Sequence, residues 1–198
     1  MRLIKDSGTS KKNLLNYSFF LIQFLTVIAL ISAGKTDYVK DVALTVIAAA
    51  LYIFIESKYG ISVSNYMRSC LLILITAHNF AGKYLELYLS STVFDKILHV
   101  FGTYSAVLIF FSIMNQLMEI SFKAKINKII FLVLLGLSLG AVFEMLEFAV
   151  DVLINPRIPN QAGLADTNLD LVSDLLGALA AAFHLSLKNL QLQPPGVR

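Results

Sequence analysis

The sequence predicts an all-α, polytopic membrane protein, a bundle of about six transmembrane helices with no soluble domain large enough to work alone. Three observations carry that expectation. Of the 198 residues, 57% are hydrophobic and only 15% are charged, against roughly 25% charged in an ordinary soluble domain. The mean hydropathy is +0.73. The apolar residues also come in blocks that approach the ~20 residues a helix needs to cross the hydrocarbon core, separated by short polar stretches.

Six blocks qualify in order. The first runs from about Leu14 to Ser32, after a polar tail over 1–13. The second runs from Asp41 to Ile55 and the third from Tyr66 to Phe80, both short and in need of flanking residues. The fourth covers Ile97 to Ile120, the fifth Ile129 to Ile154 and the sixth Leu171 to Leu187. The transmembrane domain is thus expected over 14–190, with a short tail over 191–198. Arg2, Lys5, Lys11 and Lys12 ahead of an apolar run ending at Ser32-Ala33-Gly34 resemble a signal peptide. That run exceeds the roughly 7–15 residues of a signal h-region, so it reads as a retained first helix. The single cysteine, Cys70, lies in an apolar run and cannot form an internal disulfide.

Orientation follows from the Lys and Arg residues. With an even number of spans both termini share one side. That side holds the N-terminal four, Lys58, Arg68, Lys123, Lys125, Lys128, Lys188 and Arg198, whereas Lys35, Lys40, Lys83, Lys96 and Arg157 fall on the other. The positive-inside rule places both termini in the cytoplasm and the chain in the plasma or inner membrane. These cations are scattered singly, with no basic stripe and no interleaved aromatics. A nucleic-acid partner is therefore not expected, and membrane lipids are.

The acids are more informative. His78 ends the third span, Asp95 and His99 open the fourth, Glu144, Glu147 and Asp151 close the fifth, and Asp166, Asp170 and Asp174 surround the start of the sixth. In the expected orientation all of them reach the outer half of the membrane. At 100° per residue, Gly136, Gly140, Glu144, Glu147 and Asp151 share one face of the fifth span. Gly136 and Gly140 form a G-x-x-x-G pair that lets a neighbouring helix approach closely. Asp170, Asp174, Gly177, Ala181 and His184 share a face of the sixth, and Asp95, His99 and Gly102 a face of the fourth. An ionised carboxylate at mid-bilayer costs roughly 2.5–3.5 kcal/mol on insertion scales. Such groups are expected to face the bundle interior, where they must share protons, find cations or bind a metal. Imidazole with several carboxylates suits Zn, Mn or Fe, and Glu144-x-x-Glu147 has the spacing of bundle metal sites, though no Glu-x-x-His accompanies it.

Plainer roles compete. Asp95 and Asp170 also fit helix N-caps, and Asp166-Thr167-Asn168 also fits an exposed turn. Asp37, Asp41, Glu56, Glu86 and Glu119 read as solvated span ends, and His184 as a hydrogen-bonded packing histidine. No nucleophile elbow, phosphate loop or dinucleotide fingerprint is present.

The run Asp95-Lys96-x-x-His99-x-x-Gly102 resembles a segment of the YjdF-like bacterial inner-membrane proteins. So do Glu144-x-x-Glu147, the run Asp166-Thr167-x-x-Asp170-x-x-x-Asp174-x-x-Gly177-Ala178, and the upstream His78-x-x-x-Gly82-x-Tyr84. VanZ-like proteins share a looser form of the same order. The chain departs from the YjdF-like pattern in carrying no tryptophan near the acids, or anywhere. The resemblance implies a recurring polar constellation and no particular chemistry.

The residues point first to a metal-dependent membrane enzyme with an outward-opening pocket, acting on a lipid or cell-envelope precursor. His99 and Asp174 are the expected metal ligands, with Glu144 and Glu147 catalytic. His78, Asp95, Asp151, Asp166 and Asp170 support the site or meet a lipid-linked substrate, and the expected cofactor is a divalent ion. The alternatives are a cation- or proton-coupled transporter, or a non-catalytic sensor or assembly partner.

Overall fold

A computed structural model describes residues 2–154 and 159–187, with side chains described over 10–153 and 159–187. Arg157, Lys188, Arg198 and the tail over 191–198 lie outside the described residues. Every regular element described is helical: α1 (Arg2–Ser32), α2 (Val39–Tyr59), α3 (Asn65–Thr76), a π-helical stretch (Ala77–Tyr84), a short α4 (Leu87–Ser90), α5 (Phe94–Met118), α6 (Lys125–Ile154) and α7 (Leu164–Leu187). A 3-10 turn at Thr36–Tyr38 leads into α2. The residues expected as an N-terminal tail belong to α1, which is helical from Arg2 onward.

Five segments are long and apolar enough to cross a membrane: Ser10–Ser32, Thr36–Tyr59, Phe94–Met118, Lys125–Leu153 and Leu164–Leu187. Large apolar side chains stand exposed along them in helical register. On α1 these are Leu14, Tyr17, Leu21, Phe24, Ile28 and Ile31. An exposed stripe of that length meets acyl chains and not water. The third expected span falls on α3, which has 12 residues and continues into 8 residues of π-helix.

The chain divides into two compact units, Met1–Phe94 and Asp95–Arg198. In the first, Phe19 of α1, Ala49 of α2 and Leu72 of α3 form the apolar core, joined by Leu15, Phe20 and Ile75. Gly60 ends α2 in the left-handed conformation (φ 64°) that L side chains adopt at a cost, with its N–H donated to Glu56 O. Ser64 then caps α3, its Oγ accepting from Met67 N at 3.2 Å.

Two polar features run through this core. Asn79, on the π-helical stretch and fully buried, donates to Gln23 Oε1 at 2.7 Å and meets Thr45 Oγ1 at 2.9 Å, while Gln23 donates to Thr76 Oγ1 at 3.1 Å. One side chain thereby ties α1, α2 and the π-helical turn together, each polar group satisfying another. Replacing Asn79 with leucine takes the donor from Gln23 Oε1 and the partner from Thr45 Oγ1 in an apolar interior, leaving Gln23 its bond to Thr76 and Thr45 its bond to Val42 O. The expected cost is about 1–3 kcal/mol, read as a lower unfolding midpoint in detergent.

The second feature corrects an expectation. Glu56 is not solvated. It is 3% exposed and pairs with Arg68, which is completely buried, and with Lys12 at 3.2 Å. The cation that neutralises it is twelve residues away on α3, out of reach of any local sequence pattern.

The second unit is a three-helix assembly. α6 lies against α7 where glycine makes room: a Cβ on Gly136 would sit 2.4 Å from Ala178 Cβ, and one on Gly140 2.2 Å from Asp174 Oδ2. The expected G-x-x-x-G seam is therefore a real helix–helix contact. α5 meets α7 as closely, since a Cβ on Gly177 would lie 2.3 Å from the Val100 carbonyl oxygen. At the far end of α7, Lys128 donates to Leu185 O at 2.8 Å, a favourable place for a cation beside the last carbonyls of a helix.

Candidate metal centre

Three helices deliver the polar side chains. On α5, Asp95, His99 and Thr103 recur every four residues and face α7. On α6, Glu144 continues the small face begun by Gly136 and Gly140. On α7, Asp166, Asp170 and Asp174 lie one turn apart. The expected sixth span began at Leu171, but α7 starts seven residues earlier, at Leu164. Its hydropathy is the lowest of the five spans, 1.4, because of these aspartates. They are tolerated because cations and hydroxyls from α5 meet them. Neither Asp95, inside the first turn of α5, nor Asp170, inside α7, is an N-cap, and Asp166 is not a free turn residue.

His99 is the centre of the arrangement. It is 6% exposed, and its ring packs edge-on against Phe143 at 5.6 Å between centroids. Nδ1 lies 3.3 Å from Asp174 Oδ1 and 3.9 Å from Glu144 Oε1. Nε2 lies 3.5 Å from Asp170 Oδ1 and 3.8 Å from Asp95 Oδ1. His99, Glu144 and Asp174, all buried, bring one ligand atom each within 4.8 Å of one another, and so do Asp95, His99 and Asp170. Ligands at ~2.1 Å from a tetrahedral metal stand about 3.4 Å apart. The Nδ1 group needs only small side-chain adjustments to reach that spacing.

The partners of each carboxylate differ. Asp174 Oδ1 also accepts from Thr103 Oγ1 at 2.5 Å. Glu144 Oε2 accepts from Gln161 Nε2 at 2.9 Å, and the same amide reaches the Glu144 carbonyl at 3.0 Å. Gln161 is in turn held by its backbone N–H, donated to Asp151 Oδ2 at 2.9 Å, while Asp151 Oδ1 accepts twice from Asn160. Asp151 thereby fixes the loop that aims Glu144. Two buried oxygens, Glu144 Oε1 and Asp174 Oδ2, accept no hydrogen bond among the described residues. Asp174 Oδ2 lies against Gly140, whereas Glu144 Oε1 faces Nδ1 of His99. A buried carboxylate oxygen without a donor is costly, and a bound cation removes that cost.

The Nε2 side is already filled. Lys96 Nζ donates to Asp166 at 2.5 Å, to Asp170 at 2.6 Å and to Asp95 at 3.1 Å. Asp166 Oδ2 additionally accepts from Ala162 N at 3.0 Å, tying the loop to the first turn of α7.

Of the expected site residues, the structure joins His99, Glu144, Asp174, Asp95 and Asp170 directly, with Asp166 and Asp151 one contact removed. Glu147 is half-buried one turn beyond Glu144 and lies within electrostatic range of His99 and Glu144. His78 belongs to the first unit, where its Nδ1 meets the hydroxyl of Tyr88 at 2.6 Å. That ring rests on Gly82, so the His78-x-x-x-Gly82 spacing serves this contact. His184, expected as a packing histidine, pairs and stacks with Tyr104. Sequence reasoning missed Thr103 and Gln161. Thr103 stands one turn after His99 on the same face, a usable signal; Gln161 lies in a loop and carries none.

The fold and the site together define a polytopic helical membrane protein with a buried histidine–carboxylate centre in its second half. The family described as "Predicted membrane protein (DUF2238)", the YjdF-like group that the sequence resembles, matches residues 14–189. The chain belongs to that family. It is also 32% identical over 105 residues to an uncharacterized protein of Thermotoga maritima, an alignment covering 53% of this chain and 54% of the relative. The match thus spans about half the length of either protein. No solved structure matches the chain.

Proposed function

We propose that the chain is a metal-dependent membrane enzyme whose divalent ion, Zn, Mn or Fe, is held by His99, Glu144 and Asp174. The observation that carries this reading is the pair of buried carboxylates meeting one imidazole nitrogen, with Glu144 Oε1 left without a donor among the described residues. One imidazole and two carboxylates leave coordination positions open, as a catalytic site requires. The ion supplies Lewis acidity toward water or toward a phosphoryl or acyl oxygen. Glu147, one turn along α6, takes or returns the proton in this reading. The basic residues favour cytoplasmic termini, which requires α3 and its π-helical continuation to serve as a sixth span and opens the centre toward the outer leaflet. Its substrate is then a lipid or lipid-linked envelope precursor.

Metal analysis of detergent-purified protein tests the reading. The wild type is expected to hold about one equivalent. His99→Ala and Glu144→Ala are each expected to fall below about a tenth of that, since each removes a direct ligand. Protein without metal under all loading conditions would overturn it.

One observation favours a second reading, a cation- or proton-coupled transporter. Thr103 bonds Asp174, and the adjacent Tyr104 bonds His184 ten residues further along α7. This extends the polar file beyond the acids. Ion flux into proteoliposomes that disappears in Glu147→Gln would favour it.

A further inference from the structure

His99 presents both ring nitrogens to carboxylates. Nδ1 faces Glu144 and Asp174, Nε2 faces Asp95 and Asp170, and each set has ligand spacing. Once it gives up its N–H proton to an adjacent carboxylate or to water, such a ring can bridge two metal ions as an imidazolate. On the Nε2 side a cation is already in place, and it belongs to the chain. An ammonium group has three N–H donors, and Lys96 spends them on three carboxylates, Asp95, Asp166 and Asp170. Two of these, Asp95 and Asp170, are the carboxylates that face Nε2.

We infer that Lys96 is the resident second cation of a two-cation centre built on His99: it fills the Asp95–His99–Asp170 position, limits the centre to one metal, and directs that metal to Nδ1. The inference rests on the metal reading above and goes further, because it assigns a specific task to a residue outside the ligand set. The charge balance supports it. Asp95, Asp166 and Asp170 converge from α5 and α7; Asp170 is buried, at 2% exposed, while Asp95 and Asp166 keep about a quarter of their side chains exposed, 27% and 24%. Without the ammonium they form an unneutralised cluster beside an imidazole nitrogen, which is a cation site by composition and spacing.

A metal at Nδ1 takes that nitrogen's lone pair and leaves the ring proton to Nε2, where Asp170 at 3.5 Å and Asp95 at 3.8 Å, both held by Lys96, stand to receive it. Carboxylate partners orient metal-bound histidines in this way. Lys96 is thus a positioning residue, acting through the two aspartates.

The test counts metal on the full chain in detergent after loading with Mn²⁺ and desalting. Wild type and Lys96→Arg, which retains the charge, are expected to hold about one equivalent, and Lys96→Met about two. Adding Asp95→Asn to Lys96→Met is expected to return the count to one. Mn²⁺ electron paramagnetic resonance supplies a second readout: an isolated six-line signal in the wild type, and an exchange-coupled signal in Lys96→Met. If Lys96→Met does not fold, Lys96→Gln carries the same test, because its amide still donates among the carboxylates. One equivalent in both wild type and Lys96→Met would overturn the inference and leave the metal reading standing; Lys96 would then be a clamp between α5 and α7. No metal in any variant would overturn both. Metal in Lys96→Met but none in the wild type would overturn the metal reading while supporting Lys96 as a substitute for an ion.

Discussion

Replacing Arg68 with methionine is expected to cost about 3–5 kcal/mol of stability, the magnitude for removing one partner of a buried ion pair. The guanidinium is wholly enclosed. It donates to Glu56 Oε1 through Nη2 and approaches Asn16 Oδ1 through Nη1 at 3.4 Å. Without it, Glu56 keeps only Lys12 among the described residues, and that side chain is 31% exposed and correspondingly screened. Its Oε2 already lacks a donor among the described residues. The paired change Glu56→Met with Arg68→Met removes the uncompensated charge and is expected to recover most of the loss, because desolvating both ions offsets much of their attraction. Unfolding midpoints of the single and double variants in detergent check both statements. A single variant as stable as the wild type would mean that Lys12 alone neutralises Glu56. A double variant no better than the single would mean that Arg68 contributes through packing and not through charge.

The contrast between Glu56 and the acids of the second unit shows what was legible in the sequence. Glu144, Asp170 and Asp174 stand where an apolar residue avoids an insertion cost, and they share helix faces with Gly136, Gly140 and Gly177. Periodicity and cost together identify them, and the structure brings them to His99. Glu56 sits near the end of an apolar run, a place where solvation normally suffices, and nothing local distinguishes it. Its partner Arg68 carries a positive charge that orientation arithmetic counts as a loop residue, although it is buried in α3. Lys96 was similarly visible as a nearby charge, but its three simultaneous bonds depend on the packing of α5 against α7. Neutral polar residues are harder still. Gln23, Thr45 and Asn79 look like ordinary interruptions of apolar runs until three helices place them together. The π-helical turn that positions Asn79 follows from tertiary contacts, with no capping or proline signal to mark it. What periodicity supplies is the face a residue occupies; the partner on the opposing helix has to come from the packed structure.

That packing can be tested at one position. Gly177→Ala places a methyl group 2.3 Å from the Val100 carbonyl oxygen and 3.1 Å from both Thr103 Cβ and Tyr104 N. In an exposed helix the same change stabilises by about 1 kcal/mol through propensity. Here the nearest obstacle is the backbone of α5, which cannot rotate aside, so α5 and α7 must separate. Overpacking of this kind costs typically about 1–3 kcal/mol, and it outweighs the propensity gain. The separation falls on the centre itself. Thr103 and His99 come from α5 and Asp174 from α7, joined at 2.5 and 3.3 Å. Small displacements open both contacts. The expected result is a lower unfolding midpoint together with roughly tenfold weaker metal retention, the scale seen when the supports of metal ligands are disturbed. Leu179→Ala provides the control, since Leu179 lies on the same helix with its side chain exposed; it is expected to leave metal retention unchanged. If Gly177→Ala lowers stability and metal content is unaffected, the α5–α7 seam holds the fold without setting the geometry of the centre. If both fall together, the glycine that permits the helices to touch is also what brings His99 within reach of its carboxylates.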